Sequence, residues 1–199
     1  MEITTDKIYE IIESLNSGST IDVQPEALLK TIEKCFSKGD KIEHIHCQNF
    51  LHFVVEQYTF FAGIKNLFTR VKELCTILIN SKELSSKVTG ITSQTKLWIL
   101  SYKENQGIEH FINFLYTNAA DANMNNLDNP PYLRSIYRQC LLEIYYANPK
   151  LINYSYEQII EASNSTFIPT EFPELAFSMK GESKEIEDYF KSRWWSFSP

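Results

Sequence analysis

The chain has 199 residues, enough for one sizeable hydrophobic core or a short run of stacked helices. Apolar residues at 43% exclude wholesale disorder, and only 6 glycines and 7 prolines argue against strand-turn-strand architectures. A net charge of −6, with no basic cluster beyond the helix decoration Lys65, Arg70 and Lys72, argues against binding nucleic acid.

The apolar spacing is helical nearly throughout. Ile8, Ile11, Ile12 and Leu15 form a first stripe, opened at Thr5-Asp6 and closed by Asn16 to Gly18. A second helix starts at Pro25, a good first-turn residue, and carries Leu28, Leu29, Ile32, Cys35 and Phe36 on one side up to Gly39. Asp40 with Glu43 resembles a capping box for a third helix holding Phe50, Leu51, Val54, Val55 and Tyr58. That helix is apolar around more of its circumference, so it is expected to be central. Gly63 breaks the pattern. Ile64, Leu67, Phe68, Val71, Leu74, Cys75, Leu78 and Ile79 then make the cleanest stripe in the chain.

Ser81 to Gly90 reads as a loop or a brief helix, and Thr92 or Ser93 as the cap of a helix with Leu97, Trp98 and Leu100. Gly107 separates it from Ile108, Phe111, Ile112, Phe114 and Leu115. Asn118 to Asn129 is Asn-rich, lacks periodicity and reads as one long internal loop. A proline-opened helix follows, with Leu133, Ile136, Tyr137, Cys140, Leu141 and Ile144, stopped at Asn148-Pro149. Ser155 with Gln158 is a capping box for a last helix ending near Ser163. Pro169 and Pro173 lie in an extended tail, with a short helix expected at Glu182 to Lys191. The pattern gives an all-α chain of stacked antiparallel helical hairpins, a HEAT/armadillo-like α-solenoid over residues 1–163 and a tail over 164–199.

Four scattered cysteines, Cys35, Cys47, Cys75 and Cys140, fall at apolar helical positions and read as reduced core residues of a cytosolic protein. The first residues have no apolar core for a signal peptide, and no run approaches the roughly 20 apolar residues that span a bilayer. The glycosylation patterns at Asn153 and Asn164 are accordingly chance matches. His44, His46, Cys47, His52 and Cys35 have metal-friendly side chains, but His44 and His46 diverge by about 200° around a helix, so no metal is expected. No phosphate loop, nucleophile elbow or zinc-protease helix occurs, and neither an enzyme nor a cofactor is expected.

Three residue groups are candidates for contact with partners. Arg134 and Arg138 lie one turn apart on the proline-opened helix. They read either as surface charge with salt-bridge partners, or with Arg134 holding the Asn-rich loop or the previous helix end through carbonyl contacts. Ile159 and Ile160 lie on the last helix of an open-ended array. Trp194, Trp195 and Phe197 either fold back over that end or serve as a linear binding motif.

Asn129-Pro-Pro-Tyr-Leu-Arg134, followed by Cys140-Leu-Leu-Glu-Ile144 and Asn148-Pro-Lys-Leu151, resembles the trunk of adaptor-protein complex large subunits. In that family a polar loop leads to a helix with a Leu-x-Glu core and a proline-bounded link. The resemblance is greatest to the N-terminal region of the β-type subunit of the fifth adaptor-protein complex, with Phe111 to Leu115 in the place of its preceding Leu-rich helix. The chain is shorter than such subunits, and nothing after Ser163 resembles their hinge or appendage domains. The resemblance implies a non-enzymatic scaffold of endosomal or lysosomal trafficking whose partners are other adaptor-complex subunits. It also implies a cytoplasmic protein with peripheral membrane association at most, through those partners. The alternative is an unrelated helical-repeat module that binds a peptide or protein.

Overall fold

The computed structural model describes residues 5–17, 23–37, 44–101, 107–121, 123, 126–154 and 158–159. Among the described residues the secondary structure is helical, with no strand. The described helices are, in chain order, α1 (Thr5–Asn16), α2 (Pro25–Ser37), α3 (His44–Glu56), the single turn α4 (Tyr58–Phe61), α5 (Leu67–Ile79), α6 (Leu84–Ser101), α7 (Ile108–Ala119) and α8 (Pro131–Ala147). A 3-10 turn, Pro149–Leu151, follows α8, and residues 158–159 are again helical. The helices divide between two compact units, Met1–Gln106 and Gly107–Pro199.

In the first unit, the apolar stripes become one core. Ile8 and Ile11 of α1 join all five stripe residues of α2, and Phe50, Leu51, Val54 and Val55 of α3. Leu67, Val71, Leu74, Cys75 and Leu78 of α5 complete it. The α3 helix is central, packing on α2, α4, α5 and α6, as its broad apolar circumference requires. Cys35, Cys47, Cys75 and Cys140 are all buried.

Four features of this unit differ from the sequence pattern. Tyr58 belongs to α4 rather than to α3. The α5 helix starts at Leu67 rather than Ile64, because Asn66 takes a left-handed conformation at φ 57°. Leu100 lies outside the apolar stripe and is half exposed. Finally, Ser81 to Gly90 is no separate piece. The α6 helix runs unbroken from Leu84 through Gly90, so Thr92 and Ser93 are helix interior and cap nothing. Their polarity hid this. Thr92 Oγ1 donates back to Val88 O at 2.9 Å, and Thr95 Oγ1 to Ile91 O at 2.9 Å, so these hydroxyls need no partner outside the helix.

Gly90 has a packing role instead of a breaking one. A Cβ at this position would lie 2.8 Å from Cys75 O and 2.8 Å from Ile79 N. The missing side chain lets α6 approach the backbone of α5. Contacts run in opposite order along this pair: Gly90 faces Cys75 and Ile79, while Trp98 meets Phe68, their ring centroids 4.6 Å apart. The α5/α6 pair is therefore an antiparallel hairpin. Contacts between α3 and α6 run in the same order. Gln48 Nε2 donates to Ser85 Oγ and Ser86 Oγ at 3.1 Å each, and Lys96 pairs with Glu56 further along both helices. Those two helices are parallel. Arg70 of α5 reaches α2, bonding both oxygens of Glu33 at 2.6 and 2.7 Å and Glu26 at 2.9 and 3.1 Å. The sequence pattern had reduced Arg70 to decoration; it is an interhelical clamp.

In the second unit, α7 and α8 are also antiparallel. Phe114 packs edge-on against Tyr137 at 5.5 Å, while Asn118 at the far end of α7 meets Asn129 just before α8. Gly107 precedes α7 at φ 95°, a conformation that favours glycine. Pro131 occupies the first turn of α8, where its missing N–H costs nothing. The Asn148 side chain accepts from Lys150 N at 3.2 Å to start the 3-10 turn that ends this stretch. Tyr154 then folds back on α7. Its ring stacks on Tyr116 at 3.9 Å and its hydroxyl donates to Asn113 Oδ1 at 2.9 Å.

Candidate functional site

The most elaborate polar structure among the described residues lies between α7 and α8, in the Asn-rich loop. Asp121 follows the end of α7 directly. Its Oδ1 accepts the backbone N–H of Asn123 at 2.9 Å, and its Oδ2 accepts the side-chain amides of Asn126 at 2.8 Å and Asn129 at 3.1 Å. Asn129 also donates to Asn118 O at 2.9 Å, tying the end of the loop to the last turn of α7. Asn126 Oδ1 accepts Asp128 N at 3.1 Å. Asx side chains thus supply the partners that helical bonds no longer provide.

Arg134, one turn into α8, holds the loop from beneath. It is 2% exposed. Nε donates to Asn129 O at 3.1 Å, one terminal nitrogen to Asp121 O at 2.6 Å, and the other to Asn123 O at 3.2 Å. A planar guanidinium carries five donors in a fixed fork, so one side chain serves three carbonyls; a lysine ammonium offers a single point of charge. The hydrogen bond from Asn123 N–H, then those from Asn126 and Asn129, hold the Asp121 carboxyl below the usual carboxylate range, and the Arg134 charge adds to this.

Of the two readings of Arg134, surface charge gives way to loop support, because the guanidinium is buried and bonded to carbonyls. The same burial removes it as an exposed contact residue. Arg138 is half-buried, and desolvation lowers its pKa. Ile159 is fully buried. Ile160, Trp194, Trp195 and Phe197 lie outside the described residues, as do the start of the last helix at Ser155 and the extended tail.

The metal-friendly side chains of α2 and α3 have other surroundings. His46 Nδ1 lies 2.7 Å from the Tyr9 hydroxyl, which also accepts from Asn49 at 3.1 Å. His52 faces Glu56 at 3.9 Å. Burial, with a smaller contribution from nearby Cys35, pushes the Cys47 thiol up to about 11. Among the described residues no group of three His, Cys, Asp or Glu side chains converges on one point. No helix of the described residues is long and apolar enough to cross a membrane.

The roles of Asp121 and Asn129 went unread in the sequence, although a signal was there. An Asp beginning an Asn-rich stretch directly after a helix is a ready source of side-chain-to-backbone bonds. Comparison with protein-family models, with characterised proteins and with solved structures finds no match to this chain.

Proposed function

We propose that the chain is a non-enzymatic scaffold made of stacked helical hairpins, resembling part of the trunk of an adaptor-complex large subunit. In this reading it works in endosomal or lysosomal trafficking through contacts with other subunits, and any membrane association comes through them. The observation that carries the scaffold reading is the layering of the first unit. The α5/α6 hairpin lays α6 parallel to α3, while Arg70 joins α5 to α2. In this reading α2 and α3 form the hairpin before α5/α6, so that like helices of successive hairpins would lie side by side, as a helical repeat requires to extend its core from one pair to the next. The adaptor part of the reading rests on Asn129-Pro-Pro-Tyr-Leu-Arg134 and Cys140-Leu-Leu-Glu-Ile144, which fall in the loop and α8.

Affinity purification of the full chain from its native cell tests both parts. Adaptor-like large, medium and small chains should co-purify in fixed ratio. Recovery of one unrelated protein or peptide instead would discard the adaptor reading and favour an independent helical-repeat module. A chain that comes down alone under mild conditions would defeat the scaffold reading as well.

A further inference from the structure

We draw no further inference here: the strongest candidate, the surface patch of half-exposed Ile45 and Leu84 where α3 and α6 begin side by side, carries nothing because nothing in the structure shows what covers it.

Discussion

Gly90→Ala probes whether α5 and α6 meet as closely as their packing requires. The added Cβ would sit 2.8 Å from Cys75 O, 2.8 Å from Ile79 N and 2.9 Å from Ile79 Cγ1. The first two are backbone atoms of α5, so no rotamer change relieves them; the helices must separate. Overpacking of a close-packed site costs about 1–3 kcal/mol, and a backbone clash belongs near the upper end. Alanine's better helix propensity returns about 1 kcal/mol. The expected net loss is about 2 kcal/mol. With a denaturant slope of roughly 2 kcal/mol per molar urea, the midpoint should fall by about 1 M. Helical circular dichroism follows the transition, and amide exchange locates the loss in α5 and α6. Gly63→Ala is the control. Nothing lies within 4 Å of its new Cβ, so its stability should stay within about 0.5 kcal/mol. If Gly90→Ala is as stable as the parent or gains stability, propensity alone governs this glycine and the close approach of the hairpin is wrong.

Leu74→Ala should cost ~2–5 kcal/mol in the same unfolding experiment, since Leu74 is buried in the α5 stripe; a change below about 0.5 kcal/mol would place it on the surface. Gln94 is buried and its Oε1 has no hydrogen-bond partner among the described residues, so Gln94→Leu should raise stability by about 1 kcal/mol in calorimetry; destabilisation would reveal a partner for the amide. Arg134→Lys should make residues 121–130 the first site of limited proteolysis while helical content is kept, because one ammonium does not serve three carbonyls; an unchanged digestion pattern would deny Arg134 its supporting role. Asp121 is a carboxyl whose folded pKa lies below its unfolded value near 3.9, so its contribution is fully present above about pH 4 and is lost as pH falls through the lower folded value. Asp121→Asn should therefore flatten the acid limb of the stability profile below about pH 4, and an acid limb identical to the parent's would refute that linkage.

The helices were legible where one face is apolar and the other polar. The α2 stripe, Leu28 to Phe36, and the α5 stripe, Leu67 to Leu78, are read directly from 3.6-residue spacing, because burial follows that period in a helix packed on one side. The reading failed on α6, where burial and polarity separate. Ser86, Ser93, Gln94, Thr95 and Ser101 are all buried there, alongside a glycine. Hydroxyls that bond their own helix look like loop residues in a sequence, and a glycine that admits a neighbouring backbone looks like a stop. Both meanings depend on α5 being present, and that contact is not written in α6 itself. The loop after α7 shows the same division. Its lack of periodicity marks it as non-helical, and the fork of Arg134 suggests carbonyl binding. Which carbonyls, and that Asp121 collects the asparagines, depends on α7 and α8 folding back antiparallel to bring residues 118 and 129 together.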